Sequence, residues 1–416
     1  VTAGTAPARG VLRHAAFRWL LAGRTVGIVG NAVAPIALAF AVLDLTGSPA
    51  DLGLVVASRS VANVAVLLFG GILADRLPRR VVLVSTALAA AATQGTIAAL
   101  VLTGSATVPL LVVLSVVNGA VAAVSLPTTA AMVPDTVPAE ALRPANAVIR
   151  LSLNGGTIVG ASAGAAVIAV VGAGWGLAID AAAFALAAAC FARIALPRAT
   201  DRPAPGRFSV LADLRQGWVE FSSRRWVWTV VAQFAVLNAA FVGATTILGP
   251  VIADASFGRA SWGLVIAAQT AGLAIGAVIA LRWRPRHAVG IGVALMAVTA
   301  LPVAALGVLP VLPVLIVGFL LGGVAIELFA IAWDHALQTH IPRAALSRVY
   351  SWDMLGSFIA IPLGEILVGP LAERFGTTPV LLGCAVVILV ATGAAVATRS
   401  VRAVQTRDVA HEDAAA

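Results

Sequence analysis

The chain contains no lysine, two cysteines and one tyrosine, and only 11% of its 416 residues are charged. Without lysine there is no G-x-x-x-x-G-K-[ST] loop, which argues against ATP hydrolysis within this chain. Cys190 and Cys384 lie inside apolar runs and read as small buried hydrophobes, so neither a disulfide, a metal site nor redox chemistry is expected. The five histidines, His14, His287, His335, His340 and His411, are read as loop or tail residues without metal-ligand spacing. No enzyme, cofactor or metal is therefore expected. A soluble domain carries about 25% charged residues, and this chain is too poor in charge to cover a water-facing surface.

What the chain has instead is apolar length: 60% apolar residues and a mean hydropathy of +1.01. A spanning helix needs roughly 20 mostly apolar residues. Such runs occur at 17–44, 52–74, 80–103, 107–132, 146–171, 174–196, 226–252, 261–281, 288–308, 311–333, 350–371 and 378–398. They are apolar all round, unlike the alternating strands of an outer-membrane barrel, and irregular backbone cannot face lipid unpaired. The expected fold is an all-α membrane protein of twelve transmembrane helices in two pseudo-symmetric six-helix bundles.

The formal charge is +9, and all 27 basic residues are arginine. With a cytoplasmic N-terminus, the inside loops receive Arg76, Arg79, Arg80, Arg143, the 193–225 stretch, Arg282, Arg284, Arg286, Arg343 and Arg348. The outside loops receive only Arg259 and Arg374. By the positive-inside rule both termini are expected to be cytoplasmic, and the expected location is a bacterial inner membrane. The charge marks a lipid boundary rather than a nucleic-acid partner. Residues 1–10 precede a run too long for a signal peptide, so the first helix is expected to be retained. Of nine tryptophans only Trp218 falls away from a predicted helix end.

The expected organisation is a bundle over 1–196, a cytoplasmic linker with an amphipathic stretch over 197–225, a second bundle over 226–399 and a tail over 400–416. Internal matches support duplication. A shift of 207 places Arg18-Trp19 on Arg225-Trp226 and Asn31 on Asn238; one of 210 places Gly53-Leu54-Val55 on Gly263-Leu264-Val265; one of 204 places Gly160 on Gly364. Repeated halves are a common plan of secondary transporters.

Between the second and third runs stands GGILADRLPRRVVL. It resembles the signature loop of the major facilitator superfamily, carried here by Gly71, Asp75, Arg76, Arg79 and Arg80, with Pro78 at the usual second glycine. A carboxylate and guanidinium groups at a membrane boundary can hold two bundles together in one state and release them in another. Asp135, at the end of the fourth run, is a candidate arginine partner. The alternative is that these arginines only enforce topology. The stretches VLDLTGSPADLGLV, Asp180-Ala181-Ala182 and LRQGWVEFSSRRWVW are similar to the drug:proton antiporter branch that includes macrolide efflux proteins and the enterobactin exporter. That resemblance implies alternating access, protons as coupling ion and a central cavity lined by helices one, four, seven and ten. In helix four Ser115 stands where such antiporters carry an arginine, and Gly160-Ala161 stands for a Gly-Pro in helix five.

Charges within a bilayer cost at least about 2.5–3.5 kcal/mol at midplane, so each needs a reason. Arg24 and Asn31 share a helix face, since seven residues nearly complete two turns. Asn238 corresponds to Asn31 in the second half, and Gln269 corresponds to Arg59. These residues, with the stripe Arg150 and Asn154, are cavity or pathway candidates; structural hydrogen bonding is the competing reading. Because the resemblance places helix ten on the central cavity, Glu327 leads the proton-coupling candidates, where burial would disfavour its charged form; Asp180 and Glu365 follow. Gly156, Gly160 and Gly164 form a small-residue face suited to close helix approach, either static packing or a sliding contact. The reading that joins these features is a monomeric secondary transporter exporting a lipophilic small molecule against proton entry. Uptake, lipid or siderophore transport on the same fold, or a non-transporting sensor, are the alternatives.

Overall fold

A computed structural model describes residues 8–76, 78–195, 217–283 and 285–406, without the side chains of 8–9, 67–76, 126–127, 130–131, 139, 143, 343–344 and 347. Much of the expected linker (196–216) and the end of the tail (407–416) therefore lie outside the described residues.

The chain is helical throughout its long apolar runs. The helices are α1 (Ala15–Thr46), α2 (Pro49–Arg76), α3 (Arg79–Leu102), α4 (Val108–Met132), α5 (Leu142–Val171) and α6 (Ala173–Ala192). The second set is α7 (Arg225–Ala255), α8 (Arg259–Ala280), α9 (Ala288–Val308), α10 (Leu312–His340), α11 (Arg343–Phe358 and Ile361–Phe375) and α12 (Thr377–Ala397). Eleven helices among the described residues are long and apolar enough to cross a membrane. The remaining predicted span coincides with the 28-residue α2. Leu151, Val170, Leu281 and Val390 present largely exposed side chains, as lipid-facing positions do in a fold whose apolar exterior meets hydrocarbon.

Three boundaries differ from expectation, and the first is the start of α11 at Arg343, seven residues ahead of the predicted one, which places Arg343 and Arg348 in a helix. Helix α10 runs to His340, seven residues past the predicted end, because DHALQTH is polar enough to leave the apolar run yet forms helix well. His335 and His340 consequently belong to a helix rather than a loop. Helix α11 is interrupted at Ile359–Ala360, just ahead of Pro362, whose missing N–H suits the start of a helix but not its interior.

Contacts divide the chain into two compact units, Val1–Arg202 with Ala253–Ala267, and Pro203–Ile252 with Ala268–Ala416. In the first, α1 packs on α5 and α6, α3 on α4 and α6, and α2 on α4. In the second, α7 packs on α11 and α12, and α9 on α10 and α12. The neighbours repeat with every helix number raised by six.

The duplication extends to single atoms. A Cβ at Gly119 of α4 would collide with the carbonyl oxygen of Arg59 on α2, and one at Gly323 of α10 with that of Gln269 on α8. Gly160 of α5 meets the Val29 carbonyl of α1 in the same manner, and Gly364 of α11 the Ala239 carbonyl of α7. Small residues let backbones approach this closely. The glycine face of α5 meets α1 of its own unit: a Cβ at Gly156 would lie 3.0 Å from Ile28, and Gly164 lies against Val33. The connections repeat as well. A single left-handed glycine joins α5 to α6 (Gly172, φ 93°) and another joins α11 to α12 (Gly376, φ 88°), a conformation favoured by the absence of a Cβ.

Gly119→Ala and Gly323→Ala should each destabilise the protein by about 1–3 kcal/mol, because the new methyl group meets a backbone oxygen that cannot rotate away. Gly383→Ala, with open space at its Cβ, should not. Thermal unfolding in detergent checks this, and equal melting temperatures for all three variants would contradict the tight crossings.

Candidate functional site

The face carrying Arg24, Gly27 and Asn31 on α1 opens onto a cavity of ≈ 320 Å³ inside the first unit. Arg59 and Asn63 reach it from α2, Thr86 and Ala90 from α3, Asn118 and Ser125 from α4, Leu153 from α5, and Phe184 and Phe191 from α6. Its surface is mostly apolar with a few polar groups, the usual make-up of a small-molecule site.

A buried polar network backs this cavity. Gln94 Nε2 on α3 donates to Asp180 Oδ2 on α6 at 2.6 Å, and Asp180 is 0% exposed. The other carboxylate oxygen, Oδ1, has no hydrogen-bond partner among the described residues. It lies near Gly30, where a Cβ would stand 2.4 Å from the Ala183 Cβ and 3.0 Å from Oδ1, so glycine there lets α6 come close at Ala183 and leaves room for the carboxylate. The positive charge of Arg59 acts on Asp180, while Arg59 Nη2 reaches Asn31 Oδ1 at 3.5 Å. Asn118 Nδ2 donates to Thr93 Oγ1 at 3.2 Å, and Asn63 Nδ2 to the Gly119 carbonyl at 3.3 Å.

A second cavity of ≈ 10 Å³, the size of about one water, lies between Arg59, Gln94, Ser115 and Asn118. Ser115 is the position at which the resemblance leads one to expect an arginine. Here the guanidinium beside Ser115 comes from Arg59 on the neighbouring α2.

The predicted pathway residues thus divide. Arg24, Asn31 and Arg59 meet at one cavity. Arg150 is exposed and Asn154 half-buried on α5, and neither lines it. In the second unit Asn238 Nδ2 donates to the Ser357 carbonyl at 2.9 Å. Gln269, half-buried, receives Gly323 against its backbone. Glu327 is half-buried on α10 near Gly276 of α8, and Glu365 is 3% exposed.

Sequence reasoning missed Asp353. Its Oδ2 accepts from Trp333 Nε1 at 3.0 Å and its Oδ1 lies 3.5 Å from Ser357 Oγ. Trp333 continues a stack through Phe329 (5.9 Å between centroids) to Phe234 (4.4 Å). The available signal was an acid four residues before Ser357 in a membrane helix, hidden because the predicted span began at 350. Trp218, in the linker, packs edge-on to Trp352 at 4.9 Å, giving the linker's end a docking point on α11.

Of the loop motif, the side chains of Gly71, Asp75 and Arg76 lie outside the described residues. Arg79 Nη1 pairs with Asp135 Oδ2 at 2.8 Å, the partner expected from the sequence. Arg80 donates to the Ala192 carbonyl. The two arginines therefore hold the ends of α4 and α6 beside the start of α3.

At another helix end of the first unit, Arg259 grips two carboxylates. Nη1 and Nη2 bind Asp44 at 2.9 and 2.6 Å; Nε and Nη2 bind Asp254 at 2.6 and 2.9 Å. The guanidinium also lies 4.8 Å from the Phe40 ring centroid. Paired bidentate contacts of this kind use the planar fork that arginine alone offers.

Two units of long apolar helices, the first of them holding a cavity lined by polar and apolar groups, define a polytopic membrane protein with room for a small molecule. The chain belongs to the Major Facilitator Superfamily, whose family model matches residues 20–364. It is 27% identical over 384 residues to the enterobactin exporter EntS of Citrobacter koseri, covering 88% of this chain and 87% of that protein. It is 27% identical over 380 residues to the multidrug efflux pump Tap of Mycolicibacterium fortuitum, covering 86% and 89%. Among solved structures, the nucleoside transporter NupG aligns with a TM-score of 0.73 at 16% identity, covering 92% of this chain and 98% of that one. An inward-facing bacterial homolog of the human lysosomal transporter Spinster aligns at 0.71 and 14% identity, covering 96% and 98%. These likenesses establish the shared fold.

The Arg259 cluster is partly exposed, so it should respond to salt. Raising ionic strength from about 0.1 to 1 M shortens the screening length from roughly 10 to 3 Å. It should lower the wild-type melting temperature more than that of Arg259→Met; parallel responses would show that the cluster contributes nothing to stability.

Proposed function

We propose that this protein exports a lipophilic small molecule from a bacterial cell across the inner membrane, by alternating access and in exchange for protons, as a monomer with both termini in the cytoplasm. The observation that carries this reading is the cavity within the first unit, apolar over most of its lining and approached by Arg24, Asn31 and Arg59. Similarity to an enterobactin exporter and a multidrug efflux pump supports the outward direction. The arrangement of arginines, one face of the membrane rich and the other poor, supports the orientation.

In this scheme the units bounded by 1–196 and 226–399 tilt about the substrate, and the linker over 197–225 allows it. Gly71, Asp75, Arg76, Arg79 and Arg80, with Asp135, form the latch of one state. The ion pair between Arg79 and Asp135 supports a role for the motif in holding helix ends, in addition to setting topology.

Three acids are candidates for the proton. Sequence reasoning favoured Glu327, with Asp180 and Glu365 behind it. The preference shifts to Asp180, because Arg59, the cation acting on it, also lines the cavity. Neutralising Asp180 would release Arg59 from one electrostatic partner and alter what the cavity offers a substrate. Protonation and substrate occupancy would then be linked through one side chain.

In everted vesicles, Asp180→Asn should reduce proton-driven flux at least about tenfold, to the level without a gradient, while leaving membrane insertion intact. Glu327→Gln should retain most of it. The opposite pattern would assign the proton to Glu327. Asp75→Asn should slow turnover without loss of protein, and an unchanged rate would remove the latch.

A further inference from the structure

Arg24 sits nine residues into α1, about 14 Å along the helix axis from its first residue. Its side chain is half-buried and lines the 320 Å³ cavity. It makes no hydrogen bond or ion pair among the described residues. A guanidinium carries five donors and an unremovable charge, so placing one inside a membrane protein without a partner is costly.

The rest of the lining does not offset that charge. Among the described residues Arg24 and Arg59 are its charged members, both cationic, and no Asp or Glu lines it. Asp180 is not among the lining residues; it accepts from Gln94 and offsets Arg59. No described carboxylate does the same for Arg24. Beside it stand the rings of Phe184 and Phe191 and the side chains of Ile28 and Leu153. Among the described lining residues a cation finds no carboxylate to neutralise it, whereas an anion with an apolar body finds both a guanidinium fork and an aromatic wall.

We infer that this cavity binds an amphipathic organic anion, a carboxylate or sulfonate on an apolar aromatic body, and that Arg24 is the residue that holds its charge. The inference rests on the export reading for what happens next, but not for the binding itself. It narrows the substrate from a lipophilic small molecule to one bearing negative charge, and separates this site from one built for cationic drugs.

The test uses the full chain in phosphatidylcholine nanodiscs and a matched set of probes: 1-naphthaleneacetate, 1-naphthalenesulfonate, 2-(1-naphthyl)ethylammonium and neutral 1-naphthaleneacetamide. Calorimetry should show one or both anions bound at least about tenfold more tightly than the ammonium or the amide. Arg24→Gln should erase that preference and Arg24→Lys retain part of it. Wild-type protein that prefers the ammonium, binds neither anion, or loses nothing with Arg24→Gln overturns the inference. The wild-type comparison alone decides it if the variants do not fold.

Adding phosphatidylglycerol to the nanodiscs should leave anion binding unchanged. If this lipid instead displaces the naphthalene anions, the site takes lipid headgroups and the substrate assignment falls. Proteoliposomes separate the two readings. Arg24-dependent anion binding without flux under a proton gradient leaves the anion site standing and removes export; gradient-driven flux of the ammonium probe alone does the reverse.

Discussion

Hydrocarbon offers no hydrogen bonds, and every polar group in this protein that leaves water must be met from within the chain. Backbone groups are satisfied by helices, which is why the apolar runs have no other structure open to them. Side chains are not so simply disposed of. Around Asp180 the solution involves Gln94 from α3, Arg59 from α2 and a glycine, Gly30, whose missing Cβ admits the carboxylate. Four helices therefore have to be in register for one buried acid to be tolerated. Such a network serves poorly as a stability device, since a buried pair is expensive to desolvate. Its position behind a cavity is better understood through what it does to the charge of that cavity.

The two units share a plan and differ in chemistry. Gly119 with Arg59 and Gly323 with Gln269 are the same crossing, as are Gly160 with Val29 and Gly364 with Ala239. Backbone packing has been kept in both copies, and the side chains have diverged around it. Where the first unit has a guanidinium at position 59, the second has an amide at 269. Where Asn31 accepts from Arg59, Asn238 donates to a helix carbonyl at Ser357. The second unit instead assembles Phe234, Phe329 and Trp333 into a stack that ends on Asp353. Cavity-lining arginines thus belong to one copy and an aromatic, acidic assembly to the other.

Helix positions were legible in the sequence to within a few residues because bilayer thickness sets the length of an apolar run. The exceptions follow from what hydropathy measures. It reports where the chain leaves hydrocarbon, which at α10 comes well before the helix ends at His340. It is blind to the break at Ile359–Ala360, which interrupts a run that stays apolar. The common face of Arg24 and Asn31 followed from helical period alone, and the pairing of Arg79 with Asp135 from a motif. By contrast, Gln94, Asn118 and Asp353 gain significance only from helices distant in sequence, and periodicity carries no information about such neighbours. The small-residue face of α5 was visible as a pattern, but its occupant, α1, was not.

The glycine corners at 172 and 376 have a mechanical consequence. With one residue between α5 and α6, and one between α11 and α12, there is no slack for either helix to slide along its neighbour. Load applied to one arm of such a corner is delivered to the other across a single peptide. The connection from α4 to α5, drawn out over residues 133–141 in two short turns of helix, has the length these corners lack. That joint, where Asp135 is tethered to Arg79, has room to flex, and the helices paired by the glycine corner behave as struts.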